Sequence, residues 1–471
     1  KARQDVVTEW MECNARDYFA CAKGTGALDV VWAQSVVAEA AQSGGLYSAS
    51  TLWDLKSFFD MIDHDLLIQR AVEYGFPAPL IRLAINAFKA PRIIGSKKRY
   101  ASPVNATRGV LAGYSFAMAM VHLYYLHDMD AFVKRHPNAR LDIYVDDITL
   151  SVTGHSEAEV EEALRAAAED LHDVITDGLK CEISWGKAAV VASTNSLVAS
   201  LRKSLGKWAG PEVSGTVLNL GVDFRSGKTK GRKSKRSSRG KRISLGKARK
   251  TKVRRLRRLV GTRIAANVFA SGVLPAIDFG AEVNGFDDKD LLDIQRIAAA
   301  ATSAGQSGRS LTANRLVHGD PTWRAMVAPI SRWHKEWWRA AHFPEDSVQG
   351  ASAAGLGSGM APPSCRAGRA IFSSLELRLF WDTVKAKDNE LRSDLGLPAW
   401  DKLRGPIGAT LLSLERIGWT PIKVDTWVDD IGVERVLGEY SPKLFRTLLY
   451  QSVQRHAQRQ FILQSGCEQW K

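Results

Sequence analysis

The chain has 471 residues, a formal net charge of +15, and 45% hydrophobic against 24% charged residues. That length exceeds one ordinary core, so two or three structural units are expected. No run approaches the roughly 18 uninterrupted apolar residues of a membrane span, and five scattered cysteines (Cys13, Cys21, Cys181, Cys365, Cys467) lack both zinc spacing and the pattern of a disulfide framework. A reducing, intracellular setting without a membrane partner is expected. The chain opens on Lys1 with neither a secretory signal nor a transit peptide, as a piece of something larger would.

In chain order, the apolar spacing from Asp29 predicts a helix that Gly44 and Gly45 end. Leu46–Asp54 (LYSASTLWD) reads as a strand, Lys56–Tyr74 as one helix, and Ala78–Ala90 as another. Ile93–Val104 suggests a hairpin turning at Gly-Ser. A long apolar helix runs from about Tyr114 to Arg135, and strands Leu141–Val145 and Ile148–Val152 flank an aspartate pair. Glu157–Leu179 is an amphipathic helix with acids in its first turn. Short strands at Cys181–Trp185 and Ala188–Ala192, a helix at Leu197–Leu205 and a strand at Val217–Phe224 follow. Strands and helices mixed around a central hairpin argue for an α+β fold with a partly antiparallel sheet.

Charge is unevenly spread. No acid lies between Asp223 and Asp278, and Arg225–Arg258 is about half Lys and Arg, which reads as a nucleic-acid or other polyanion contact, or else as a nuclear-localisation tag or a disordered solvated loop. Beyond it Lys252–Ala270 is helical, Gly272–Gly285 is a turn-rich connection, and Asp290–Ala301 is helical again. Trp-rich helices then precede a flexible linker at Glu345–Gly368. The helical tryptophans read as core more readily than as base-stacking platforms.

The segment "LDIYVDDITLSV" sets Asp146 and Asp147 at the tip of a hairpin, while Asp54 ends its own apolar strand. If that strand pairs beside the hairpin, Asp54 and Asp146 meet. Such carboxylates repel unless protonated or bound to cations, and magnesium takes carboxylate oxygens that it shares with substrate phosphates. Two such ions roughly 4 Å apart activate an attacking hydroxyl and stabilise a leaving pyrophosphate, which is nucleotidyl transfer. A second pair, Asp429-Asp430 in "WVDDIGV", reads instead as the approach to a capped helix. Adjacency alone is therefore weak evidence.

Tyr144-Val145-Asp146-Asp147 resembles the Tyr-x-Asp-Asp box of the reverse transcriptase family, particularly of non-LTR (LINE-like) retrotransposons. Asp54-Leu55-Lys56-Ser57-Phe58-Phe59 resembles its first palm motif, and Arg108-Gly109 stands between the two. The resemblance implies Asp54, Asp146 and Asp147 as catalytic and metal-site carboxylates for two magnesium (or manganese) ions, with Leu55 offering a carbonyl. It implies Tyr144, Phe59 and Gly109 at the substrate, Phe59 as a steric gate against a 2′-hydroxyl, although a core aromatic fits that position equally. Lys187 resembles the lysine that protonates leaving pyrophosphate, or is a surface lysine. Leu220 and Gly221 resemble the primer grip, and the basic helix carrying Arg249, Lys252, Arg254 and Arg255 resembles the thumb, so these six are expected at nucleic acid. The family's usual Gln-Gly and Ser-Pro are Arg108-Gly109 and Gly113-Tyr114 here, and the N-terminal fingers look truncated.

The implied architecture is α+β, a right-hand polymerase. Partial fingers and an antiparallel palm span 1–224, a basic segment and helical thumb 225–306, Trp-rich helices 307–344, the linker 345–368, and a helical C-terminal region 369–471. The implied activity is RNA-directed DNA polymerase, with an RNA template, a DNA primer and dNTPs as partners. Two alternatives stay open: a catalytically impaired, retrotransposon-derived nucleic-acid-binding protein, and an RNA-dependent RNA polymerase.

Overall fold

The computed structural model describes residues 3–21, 24–96, 99–226, 238–302, 310–312, 315, 319–343, 370–395 and 405–465. The expected linker, Trp400, Trp470 and residues 227–237 of the basic block lie outside the described residues. The chain divides into two compact units: Lys1–Val30 with Leu46–Val217, and Val31–Gly45 with Leu218–Lys471.

The first unit is built on a five-stranded sheet of order β4-β5-β1-β6-β7. Its strands are β1 (Tyr47–Asp54), β4 (Ala139–Tyr144), β5 (Asp147–Gly154), β6 (Ala189–Ala192) and β7 (Glu212–Ser214). All pairings are antiparallel except β6 with β7. β1 is central, and residues 48–53 are buried without alternation, as expected of a strand covered on both faces. Helix α7 (Glu157–Asp173) lies over β1 and β5. Its Val160, Leu164, Ala167, Ala168 and Leu171 are buried at helical spacing, and Ser156 caps it by accepting the N–H of Glu159. Helix α6 (Ala117–Arg135) buries Met120 to Leu126 almost continuously.

The expected single helix over Lys56–Tyr74 is two, α3 (Phe58–Met61) and α4 (His64–Glu73). The break is at Asp63, whose carboxylate accepts the N–H groups of Asp65 and Leu66 and starts a new helix. After α5 (Ala78–Lys89), the expected hairpin exists but with short strands, β2 (Gly95–Ser96) and β3 (Arg99–Tyr100), so Gly-Ser is an arm and not the turn. A Cβ on Gly95 would stand 2.9 Å from the ring of Tyr100, an exposed side chain free to swing aside. Of the strand expected over Cys181–Trp185, only Ile183 bridges, to Leu55.

β8 (Thr216–Asn219) and β9 (Val222–Arg225) form a hairpin within which the chain enters the second unit. There α9 (Ser238–Gly272), interrupted at Gly261 where φ is +80°, packs along α12 (Asp288–Thr302). Within Ser238–Asp278 one stretch is long and apolar enough to cross a membrane by composition alone. The connection Gly272–Gly285 carries two short helices, α10 (Leu274–Asp278) and α11 (Ala281–Asn284). Helices α13 (Trp323–His342), α14 (Ser374–Leu395), α15 (Pro406–Ile417) and α16 (Pro442–Ser465) follow. Tryptophans form core in this unit: the rings of Trp32, Trp333, Trp381 and Trp427 run in series with centroids 6.1, 5.0 and 5.9 Å apart, all four buried.

The C-terminal region is not wholly helical. A three-stranded sheet, β10 (Thr420–Lys423), β11 (Thr426–Val428) and β12 (Glu434–Val436), lies between α15 and α16, so "WVDDIGV" runs from a strand into a turn and not into a helix. Asp429 makes the turn by accepting the N–H groups of Ile431 and Val433 while Arg435 holds its other oxygen at 2.8 Å. Asp430 is taken by Arg455 at 2.6 Å and by Ser452.

Candidate active site

The register of β1 on β5 sets Asp54 directly opposite Asp147, so the two carboxylates leave the same face of the sheet. Asp146 sits one residue earlier, in the two-residue turn that joins β4 to β5, since Tyr144 pairs with Asp147. Its carbonyl accepts the N–H of Leu55 at 3.0 Å. All three aspartates are thus gathered. The expected meeting of Asp54 with Asp146 takes the form of a facing Asp54–Asp147 pair with Asp146 adjoining.

The turn is strained. Val145 has φ +63°, a region that β-branched residues rarely enter, and it occupies the first central position of a II′-type turn that favours glycine. Such a backbone persists where its surroundings over-determine it. Tyr125, fully buried on α6, donates its hydroxyl to the Val145 carbonyl at 3.0 Å, and the Val145 N–H faces the Cys21 sulfur. Phe58 stacks on the Tyr125 ring with centroids 5.1 Å apart, tying the segment after Asp54 to the same anchor. Next door, Ile143 donates to Tyr18 and accepts from Ala20, so the N-terminal segment adds an edge to β4. Sequence reasoning missed Tyr125 and Cys21. The only signal for Tyr125 was a phenol in the middle of an otherwise apolar helix.

Electrostatics separate this aspartate pair from the second one. Burial raises the Asp147 carboxyl to about 6, with repulsion from Asp146 and Asp54 adding to it. Asp146 is also raised, by burial and by Asp54. Asp429 and Asp430 are instead lowered by hydrogen bonds and by arginines. Among the described residues the cation paired with the first cluster is Lys187, whose Nζ stands 2.8 Å from Asp54 Oδ2 and whose ammonium is held protonated by that contact. Lys187 is delivered by a tight turn, its N–H returning to Ser184 while Ser184 donates to the Asp54 carbonyl at 2.8 Å.

Among the described residues no three His, Cys, Asp or Glu side chains are set closely enough to cage a metal ion. The donor set nevertheless fits a hard cation in kind and charge: three carboxylates, two of them raised by burial and by mutual repulsion, with the Lys187 ammonium paired to Asp54.

Leu55 is buried, and Phe59 is half-buried beside Phe58, with centroids 5.9 Å apart. Tyr144 ends β4, half-buried. Gly109 has φ +101°, and a Cβ there would stand 3.2 Å from the Cα and carbonyl of Asp60, so the approach that needs glycine is to the chain's own first motif. Val110 and Gly109 donate to the carbonyls of Phe59 and Ile62, and His64 bonds the Gly109 carbonyl at 2.8 Å.

In the second unit, Leu220 (φ +44°) and Gly221 (φ +80°) form a two-residue turn with both central residues left-handed. Arg242 donates to the Gly221 carbonyl at 2.8 Å and lies 4.5 Å above the Phe279 ring. On α9, Lys252 and Arg255 are exposed, and Arg249 and Arg254 half-buried.

Residues 6–224 match the family model described as reverse transcriptase (RNA-dependent DNA polymerase). A reverse transcriptase domain is thus found over residues 6–224, just under half of the chain. The mixed α/β fold around a largely antiparallel sheet is that of this domain. Solved structures similar to the chain include an apo telomerase from Candida tropicalis truncated from its C-terminal domain, at 10% identity and TM-score 0.35 over 47% of this chain and 43% of that one. Telomerase from Candida albicans in complex with a TWJ fragment of telomeric RNA matches at 11% and 0.34 over 75% and 58%. Apo telomerase from Candida tropicalis matches at 9% and 0.37 over 84% and 60%. The chain therefore spans from 43% to 60% of those telomerase chains. No curated protein matches it.

Proposed function

We propose that the chain is an RNA-directed DNA polymerase of the non-LTR retrotransposon type, extending a primer 3′-hydroxyl with dNTPs on an RNA template. The observation that carries this reading is the contrast between the two aspartate pairs. Asp429 and Asp430 are each neutralised by arginine, whereas Asp146 and Asp147 share a cluster with Asp54 that, among the described residues, holds a single lysine. A protein keeps a charge surplus of this kind where a cationic ligand enters.

Asp54, Asp146 and Asp147 would hold magnesium, which when bound supplies Lewis-acid stabilisation of phosphoryl oxygens. Tyr125 and Cys21 keep the Val145 turn in place, so that Asp146 and Asp147 are presented without rearrangement. Lys187 holds a proton on Nζ within reach of the cluster and can give it to a leaving pyrophosphate. Phe59, half-buried beside Phe58, is the gate against a 2′-hydroxyl. Leu220, Gly221 and the α9 cations hold primer and template, chiefly through phosphates.

The contact of Lys187 with Asp54 favours a second reading, in which lysine permanently replaces the ion and the domain binds nucleic acid without synthesis. Incubation with primed RNA, magnesium and either dNTPs or NTPs separates the readings. Incorporation of dNTPs alone supports the polymerase, no incorporation supports the binding protein, and incorporation of NTPs indicates an RNA polymerase.

A further inference from the structure

Phe59 stands on the one-turn helix α3, so its carbonyl lacks the partner that a continued helix supplies. The N–H in sequence position for that carbonyl belongs to Asp63, and it goes to the Tyr124 hydroxyl at 3.2 Å. Val110 donates to the Phe59 carbonyl at 2.7 Å in its place, and Gly109 donates to the Ile62 carbonyl at 2.8 Å. Asp63 and Arg108 extend the pairing as an antiparallel bridge. Residues 108–110 therefore run as a short strap along residues 59–63. Gly109 lies so close that a Cβ would stand 3.3 Å from the Phe59 carbonyl oxygen.

The strap is itself held by His64, the first residue of α4, which is only 2% exposed. His64 Nε2 lies 2.8 Å from the Gly109 carbonyl oxygen. A carbonyl only accepts, so Nε2 carries the hydrogen and donates it. Nδ1 is buried with no partner among the described residues, so the bond to Gly109 is the ring's one polar tie there. Its other constraint is aromatic. Phe88, fully buried, lies at 27° to the imidazole with centroids 6.1 Å apart, and meets Tyr114 edge-on at 5.3 Å. The imidazole is thus fixed by packing and grips the strap through a single hydrogen bond.

We propose that His64 is a positioning residue for sugar discrimination: through the Gly109 carbonyl it fixes the strap, and through the strap it fixes the backbone that carries Phe59. This rests on the polymerase reading and on Phe59 as its gate. A gate of this kind works by steric exclusion, so a small retreat of the ring admits a 2′-hydroxyl. Without the His64 bond the strap can back away from α3, and the Phe59 carbonyl follows the Val110 N–H. A loss of folded protein would lower the use of every nucleotide alike, whereas a displaced gate changes the ratio between them.

The test is single-nucleotide incorporation by the whole chain on primed RNA with magnesium, using dATP and ATP in turn and comparing their kcat/KM values. The wild type should prefer dATP. His64→Leu should lower that preference by about tenfold, chiefly by raising the use of ATP. His64→Gln, whose amide can donate from nearly the place of Nε2, should keep it within about threefold of wild type. His64→Met also lacks the donor and takes the place of His64→Leu if that variant does not fold. Phe59→Val combined with His64→Leu should discriminate no worse than Phe59→Val alone, because the ring through which His64 acts is gone. With an active wild type, an unchanged preference in His64→Leu or His64→Met, a loss in His64→Gln as large as theirs, or additive losses in the double variant would overturn the proposal. Absence of synthesis by the wild type would overturn the polymerase reading, and this proposal with it, so the wild-type arm tells the two failures apart.

Discussion

The Tyr125 hydroxyl donates to the Val145 carbonyl at 3.0 Å, and so ties a buried helix to the one left-handed residue of the aspartate turn. Burial keeps that phenol protonated and able to donate. Tyr125→Phe removes a hydrogen bond worth about 1 kcal/mol while leaving the ring that stacks on Phe58. The turn then loses an anchor but the core keeps its packing. Primer extension should slow through kcat by roughly tenfold, with melting lowered by only a few degrees. A variant with unchanged kcat would show that the bond is merely structural.

Asp147 gives a pH-dependent signature. Its folded carboxyl is raised to about 6 from 3.8, so its contribution to stability is full below about pH 4 and is lost as pH rises through 6. Above that pH the folded state carries a repelled carboxylate. Asp147→Asn should therefore be more stable than wild type at pH 8, by about 1 kcal/mol once solvent screening of this partly exposed group is allowed for. The gap should close between pH 8 and pH 4. Thermal melts of both proteins across that range measure it, and a pH-independent gap would contradict the assignment.

Gly109 and Gly113 both have positive φ, yet only Gly109 lies against backbone. Gly113→Ala meets nothing within 4 Å and should cost about 1 kcal/mol for the left-handed conformation alone. Gly109→Ala must also push Asp60 away and should cost about 2–3 kcal/mol. Urea denaturation orders the two.

On the proposed reading, Lys187 would compete with a metal for Asp54. Lys187→Gln should tighten magnesium binding, read as a larger magnesium-induced rise in melting temperature, while slowing single-nucleotide incorporation by about 100-fold through loss of a proton donor. Tightened metal binding with unaltered incorporation would leave Lys187 a counter-ion only.

The strand ending in Asp54 and the hairpin bearing Asp146 and Asp147 were legible because alternating and apolar runs end on charged residues. Which aspartate faces Asp54 was not legible, because it depends on the long-range register of β1 on β5 and on a turn that places valine where glycine is favoured. "WVDDIGV" misled because Asp429 followed by Gly432 serves a hairpin turn as well as a helix start, and only Arg435 and Arg455 decide between them. Asp63 was readable as a cap in the middle of a helical stripe. The role of Tyr125 was not, since its contacts with Val145 and Phe58 join elements far apart in the chain.

The most direct test of the central claim is primer extension on an RNA template with dNTPs and magnesium, comparing wild type with Asp146→Asn and measuring RNA binding of both in parallel. The account predicts synthesis by the wild type, none by Asp146→Asn, and RNA affinity within about twofold, since the phosphate contacts it proposes are made by other residues. Magnesium-dependent extension retained by Asp146→Asn would contradict it.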